Sequence, residues 1–448
     1  MPLTGIEIFK LLPKTNCKEC GFPTCLAFAM SLATGKVELA ACPYVSDEAK
    51  AKLTEAAAPP ITPVTIGVGD RALKVGGETV MFRHEKRFEN PPGFAILITD
   101  TMEESEVDSR LERFNLQYER VGLTLRPELV AIKENSGDAA KFEALVSKVK
   151  QNSDCSIILM SSNPDILAAG LKVCADRKPL IYAATEETLD RVADLAKENS
   201  CPIVAKTSDG LEELAQLTTK LTEAGIKDIV LDSGSRTLRR ALEDQILIRS
   251  AALNKKFRPL GFPTIVLPYE MTDDPMKEAV IASVFVAKYG GIIVLSDFQG
   301  ESLFPLLVER LNIYTDPQRP LATTEGIYDI GGADENSPVL LTSNFSLTYF
   351  IVSGEIENSK VPSYLLVKDT EGLSVMTSWA AGKFVADAIA PFVKKCGIAD
   401  KVKRHRLIIP GYIAAESGGL EEELPGWEIL VGPREGAHIP AYLKAQKS

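Results

Sequence analysis

The chain has 448 residues, 45% of them hydrophobic and 25% charged, with a formal net charge of −11. Such an acidic surface is repelled by phosphate backbones, and no apolar run approaches the roughly 20 residues that cross a bilayer, so neither nucleic acid nor membrane is an expected partner. The length suits roughly two to four domains with sizeable cores.

The chain opens on a helical pattern in which Thr4 and Glu7 form a capping box. That reads as a folded start rather than a leader peptide, and a cytoplasmic location is expected. Four cysteines follow, Cys17, Cys20, Cys25 and Cys42, spaced C-x2-C-x4-C-x16-C, with Pro43 after the last. Four thiolates in one short segment match either a [4Fe–4S] cluster or a structural zinc ion. Zinc modules usually present two short hooks. Here one hook is followed by Cys25, inside a helix-like run, and by the distant Cys42-Pro43, which suits a cuboid cluster better. Phe22, Phe28 and Met30 would shield the sulfurs in either case. Residues 1–55 are read as this cluster domain, too small for a core of its own and held together by metal. Cys155, Cys174, Cys201 and Cys396 are scattered singly and read as small buried hydrophobes. Residues 56–63, three alanines and three prolines among them, read as a linker. It is either an extended tether or a strap lying on the next domain.

Residues 64–315 alternate short aliphatic runs with amphipathic stretches of helical length. After a two-stranded lead-in at 64–68 and 79–82, strands are predicted at 94–99, 129–132, 156–160, 180–184, 202–206, 228–232, 264–267 and 291–296. Helices are predicted at 104–121, 139–150, 186–198, 210–224, 238–253, 274–288 and 302–311. Eight such units over about 220 residues describe a (β/α)8 TIM barrel, with an open doubly wound sheet as the alternative. Chemistry in such barrels sits at the carboxyl ends of the strands. Those ends carry Asp100, Glu134, Ser161, Thr185, Lys206, Asp232, Ser233, Tyr269, Glu270 and Asp297. The ring contains no histidine, and Ser161, Thr185, Asp232 and Ser233 have a second reading as helix N-caps.

The stretch 312–337 is irregular and marks a boundary. A C-terminal domain, 316–448 with its leading connection, shows strands at 339–342, 363–367, 406–409 and 428–431. Helical runs at 346–355 and 379–395 and a segment at 414–424 separate them, which describes a small doubly wound α/β sheet. Ligands bind beyond the carboxyl ends of such strands. The loops there are rich in Gly, Ser and Thr and hold no cluster of Lys or Arg. Such a rim favours a large flat ligand, while ordinary turn chemistry explains the glycines equally well.

The cysteine segment, the Pro-rich linker, the barrel and the small C-terminal domain together resemble the large (gamma) subunit of the corrinoid iron–sulfur protein. Pro2-Leu3-Thr4-Gly5 and Cys42-Pro43-Tyr44-Val45-Ser46-Asp47 are especially close. The resemblance implies a [4Fe–4S] cluster on Cys17, Cys20, Cys25 and Cys42, a cobalt corrinoid (cobamide) on the C-terminal domain, and a heterodimer with a small subunit. It implies a methyl carrier rather than a stand-alone enzyme. The methyl group comes from methyltetrahydrofolate through a methyltransferase, or from methyltetrahydrosarcinapterin in archaeal relatives, onto a base-off Co(I) corrinoid. It then passes to the nickel cluster of acetyl-CoA synthase/CO dehydrogenase in the Wood–Ljungdahl pathway, and the cluster reduces cobalt that has lapsed to Co(II). Strand-end placement guided by the resemblance selects Thr342, Ser343, Asn344, Thr348, Gly372, Leu373, Ser374, Val375, Gly411, Gly432 and Pro433 as corrinoid contacts. Many cobalamin domains offer a histidine from a D-x-H-x-x-G motif as lower ligand. Here His84 and His405 lie outside the rim loops and His438 lacks the preceding Asp, so cobalt is expected to be free of imidazole. The competing functions are a pterin-dependent barrel methyltransferase and a zinc-stapled scaffold.

Overall fold

The computed structural model describes residues 4–33, 36–46, 48–50, 53, 59–120, 123–316 and 320–446. Pro2, Leu3, Asp47, residues 56–58 of the linker and residues 317–319 lie outside them. The chain divides into two compact units, one of Met1–Met81, Glu89–Asn115 and Pro127–Arg310, the other of Phe82–Phe88, Leu116–Arg126 and Leu311–Ser448.

The first unit is built on a parallel barrel. Strands β1 (Gly93–Thr99), β2 (Leu129–Lys133), β3 (Ser156–Met160), β4 (Leu180–Ala184), β5 (Ile203–Lys206), β6 (Ile229–Asp232), β7 (Ile265–Val266) and β8 (Ile292–Leu295) pair in the order β6-β5-β4-β3-β2-β1-β8-β7. A parallel bridge between Leu231 and Thr264 joins the two edges of this sheet. The ring therefore closes, and the open-sheet alternative is excluded. Alternate residues such as Ala95, Ala131, Ile158, Leu180, Val204, Val230 and Ile292 fill the interior. The intervening positions pack outward under helices, so the strands read as nearly continuous apolar runs.

The lead-in differs from expectation. Val64–Ile66 pairs antiparallel with Leu73–Val75, not with residues 79–82. Gly76 and Gly77, at φ +80° and +81°, turn the chain away after Val75. A side chain at Gly93, the first residue of β1, would run into Leu73, so this hairpin packs at the amino end of the barrel. From the linker, Pro59–Pro63 lie ordered on the barrel. Arg258 donates to the Pro59 carbonyl at 2.8 Å, and the Thr62 amide donates to Gly261 at 2.9 Å. The helix expected over 104–121 stops at Asn115 because its apolar stripe, Val107, Leu111 and Phe114, ends there. Tyr118–Arg120 and Leu123–Leu125 instead form an antiparallel pair within the second unit.

The second unit holds a five-stranded sheet of β9 (Gly326–Ile330), β10 (Val339–Ser343), β11 (Ser363–Lys368), β12 (Arg406–Ile409) and β13 (Glu428–Val431), in the order β9-β11-β10-β12-β13. β9 is an antiparallel edge strand inside the stretch read as irregular. The other four are parallel. Side chains alternate between two cores. Val339, Leu341, Leu407 and Ile409 pack with the helices Ala386–Lys395 and Ser417–Glu423 on one face. Leu340, Leu365, Val367 and Ile408 pack with Ser346–Ser359 and Ile439–Gln446 on the other. The sheet is doubly wound. The helix expected over 379–395 is two, Val375–Ala380 and Ala386–Lys395, broken around Gly382 at φ +70°.

Candidate functional site

The parallel part of the second sheet runs β11-β10-β12-β13, so consecutive connections leave β10 in one direction and reach β12 in the other. Ligands of open α/β sheets bind at such a switch point, outside the carboxyl ends of the strands. β10 and β12 pair only at Val339–Leu407 and Leu340–Ile408. Beyond those residues lies a cavity of about 250 Å³.

Of the predicted contacts, Thr342, Thr348, Ser374, Val375, Gly432 and Pro433 line this cavity. Thr342 follows Leu340 by two residues and shares its face of the sheet. Its hydroxyl is buried and has no hydrogen-bond partner. A buried hydroxyl without a partner is costly unless a ligand supplies one, so the residues present fit a bound polar edge. The Ser343 hydroxyl is likewise unpartnered, but one residue further along it takes the opposite face and does not line the cavity.

Asn344, Gly372, Leu373 and Gly411 lie behind the lining. The Asn344 side-chain oxygen accepts from the Thr370 amide, the Thr370 hydroxyl and the Gly372 amide, each at 2.9 Å. Its amide nitrogen donates to Asp369 at 2.8 Å, so the whole side chain braces the 369–373 loop. Gly411 brings two rim loops together: a side chain there would sit 2.6 Å from the Gly432 carbonyl. Sequence reasoning missed Ile351, Val352, Met376, Tyr412 and Arg434, which also line the cavity. Ile351 and Val352 lie one helical turn beyond Thr348, so helical spacing from a chosen residue was the signal that would have found them. None of the three histidines lines it. His405 stacks on Trp427 with ring centroids 4.9 Å apart, His84 stacks on Phe82, and His438 is exposed.

Three of the four N-terminal cysteines belong to or pack on a small apolar nucleus in the first unit. Cys25 and Cys42 are buried in it, Cys20 packs against it, and Cys17 is exposed. Thr24 precedes the helix Cys25–Ala33, and its hydroxyl accepts the Ala27 amide at 3.1 Å. Asn16 accepts the Cys25 amide at 2.8 Å, tying the Cys17–Cys20 loop to the helix start. Asn16, Lys18 and Gly21 all take positive φ, winding this loop tightly. Glu19 accepts the Tyr44 hydroxyl at 2.8 Å, which raises the Tyr44 pKa and links the loop to the Cys42 side. Among the described residues, no three Cys, His, Asp or Glu side chains are gathered at metal-binding spacing. As a donor set, four thiols within one short segment fit an iron–sulfur cluster chemically.

At the carboxyl mouth of the barrel, Asp232 is not a helix cap. It accepts the Tyr182 hydroxyl at 2.6 Å and the Arg236 guanidinium through both oxygens at 3.0 and 2.9 Å. Arg236 also pairs with Glu270, which accepts the Tyr269 hydroxyl at 3.0 Å. Burial first, then the neighbouring carboxylates, drive the Tyr182 and Tyr269 pKa values well above the ordinary phenol. Asn163, Asp138 and Asp274, not Ser161, Thr185 or Ser233, cap the helices they precede.

Comparison with known proteins fits this architecture. A family model described as "CO dehydrogenase/acetyl-CoA synthase delta subunit" matches residues 63–443, and one described as "Putative Fe-S cluster" matches residues 12–44. The chain is 48% identical to the "Corrinoid/iron-sulfur protein large subunit" of Moorella thermoacetica over 99% of both chains. It is 37% identical to the "Acetyl-CoA decarbonylase/synthase complex subunit gamma" of Methanopyrus kandleri, covering 99% of this chain and 98% of that one. A solved dihydropteroate synthase from Vibrio fischeri ES114 aligns with 51% of this chain and 95% of its own, at a TM-score of 0.38 and 14% identity. With near-complete coverage by such relatives, the chain belongs to the family of corrinoid/iron–sulfur protein large subunits and acetyl-CoA decarbonylase/synthase gamma subunits.

Proposed function

We propose that this chain is a methyl carrier that holds a corrinoid at the β10/β12 switch point and a [4Fe–4S] cluster on Cys17, Cys20, Cys25 and Cys42. The observation that carries the reading is the unpartnered Thr342 hydroxyl in a crevice lined by no histidine. The corrinoid, when bound, supplies a cobalt that as Co(I) accepts a methyl group and later gives it up, and the cluster supplies an electron of low potential.

The chain's own residues bind and orient. The Thr342 hydroxyl would give the group a hydrogen bond. Gly411 lets the two rim loops come together at Gly432, where the backbone would face the group. Ile351, Val352 and Met376 present apolar walls that keep water from the buried edge. Because none of the three histidines reaches the crevice, no imidazole is offered to the metal. A corrinoid bound there would meet no histidine side chain of this chain, which would make its reduction easier. The transfer needs no protein acid or base. The methyl donor is methyltetrahydrofolate acting through its corrinoid methyltransferase, the acceptor is the nickel cluster of acetyl-CoA synthase/CO dehydrogenase, and a small subunit completes a heterodimer.

Anaerobic purification with the small subunit tests the reading. It requires a corrin absorption spectrum together with broad iron–sulfur absorbance, and roughly four iron atoms per chain. A colourless preparation holding zinc and no cobalt sinks it and leaves the cysteines a structural staple.

A further inference from the structure

The face of the second sheet that carries the switch-point crevice has another cavity at its opposite, amino-terminal end, of about 340 Å³. Ile408 lines both. The floor is apolar, formed by Val361, Ile408, Leu430 and Leu443, with Pro338 and Pro362 at the starts of β10 and β11. Neither proline carries an amide hydrogen, so this part of the rim has no backbone donor to offer a ligand.

The donors come from the turn that leads into β12 and from its first residue. His405 turns its ring to one side, against Trp427. Arg404 and Arg406, on either side of it in the sequence, both line the cavity. The backbone that aims them is fixed: the Lys403 amide donates to the Glu335 carbonyl at 2.7 Å, and the Arg406 amide to the Arg404 carbonyl at 2.9 Å. Arg406 is held by Glu428. Arg404 has no carboxylate within ion-pair distance among the described residues. Asp334, the acid on the rim, is engaged by its own loop, accepting the Asn336 amide at 2.9 Å and the Ser337 hydroxyl at 3.0 Å.

An apolar floor with a few convergent polar groups is the anatomy of a small-molecule site, and an uncommitted guanidinium is suited to an oxyanion. We infer that this cavity is a second ligand site, for a molecule with a flat apolar body and one oxyanion group that meets Arg404. The site is independent of what the crevice at the other end of the sheet holds.

The test uses the full-length protein with its cofactors and two fluorescent probes of similar shape, 1-anilinonaphthalene-8-sulfonate, which is anionic, and N-phenyl-1-naphthylamine, which is neutral. The wild type should bind the sulfonate saturably at one site. Arg404→Gln should weaken it by about tenfold, the worth of one charge-assisted hydrogen bond, and leave the neutral probe unchanged. Arg404→Lys should fall between them. Ile351→Glu, which spoils only the crevice, should leave sulfonate binding at this site intact whether or not the corrinoid reading holds. The inference is overturned by equal sulfonate affinity in wild type and Arg404→Gln, by binding that Ile351→Glu abolishes, or by no saturable binding at all.

Discussion

The side-chain oxygen of Asn344 accepts the backbone amide of Gly372 at 2.9 Å, joining the carboxyl end of β10 to the loop that follows β11. Two further bonds from Thr370 converge on the same atom. Gly372, at φ +75°, packs where a side chain would meet the Pro320 carbonyl, so the loop has one conformation to offer. Replacing Asn344 with Ala strands two amides, of Thr370 and Gly372, in a buried region, while the Thr370 hydroxyl keeps the Leu373 carbonyl as its acceptor. The cost should be roughly 3 kcal/mol. Chemical denaturation of the cofactor-free chain reads it, and an unchanged midpoint would remove Asn344 from its bracing role.

Thr342 predicts the opposite pattern. Its hydroxyl satisfies no protein group, so Thr342→Val, nearly isosteric, should leave the stability of the cofactor-free chain within about 1 kcal/mol of wild type or raise it. Corrinoid retention through gel filtration should fall. If cobalt content is unaffected, the hydroxyl does not face the ligand.

Much of this arrangement was legible in the residues. β12 and β13 run over the predicted positions, because three aliphatic residues in a row after a charged one leave little choice. The barrel followed from eight such runs at regular spacing. What failed did so where burial is incomplete. β9 is an edge strand in which Gly326–Tyr328 are half-exposed, Asp329 is exposed and only Ile330 is buried, so no apolar period announced it. Asn344 was read as a corrinoid contact, whereas its side chain lies behind the crevice lining and is spent on the 369–373 loop. One asparagine on a rim looks the same whether it contacts a ligand or holds a loop, and only the tertiary positions of Thr370 and Gly372 decide. Arg236 went unnoticed because it lies four residues past the end of β6, outside a reading confined to strand ends.

Cys20 separates repair from carriage. On the proposed reading, Cys20→Ala removes one cluster ligand far along the chain from the corrinoid crevice. Methyl transfer from protein reduced beforehand should survive, while reductive recovery of lapsed cobalt should stop. Single-turnover transfer and a reactivation assay with a low-potential donor give the two readouts. Loss of both would argue against a separate repair role for the cysteine segment.

Arg249 and Glu78 form a buried ion pair in the barrel unit, 3.1 Å apart, and the guanidinium also donates to the Val80 carbonyl at 2.7 Å. Both side chains are at most 7% exposed. Arg249→Met would leave Glu78 with only the Glu89 amide against the burial that already pushes its pKa upward. A loss of about 3–5 kcal/mol is expected. Arg249→Met together with Glu78→Leu should recover much of it, since the desolvation cost disappears with the charge. A double variant no more stable than the single one would mean that the segment around Val80, rather than the ion pair, is the weak point.

The singly placed cysteines predict an alkaline limit. Burial pushes the thiols of Cys155 and Cys201 up to about 11 and that of Cys174 up to about 12. Below the ordinary thiol value all three are protonated in both the folded and the unfolded chain, and stability is independent of them. Above it the unfolded chain releases these protons while the folded one keeps them. Stability should therefore fall as pH rises from about 9 towards 11 and 12, by about 1.4 kcal/mol per pH unit for each thiol. Cys174→Ala will lower stability at every pH by opening a cavity, yet its slope over that window should be shallower than that of the wild type by one thiol's share. Tyrosines and lysines titrate there too, but alike in both proteins, so the difference between the two slopes isolates Cys174. Parallel slopes would mean that Cys174 is not held protonated by its surroundings.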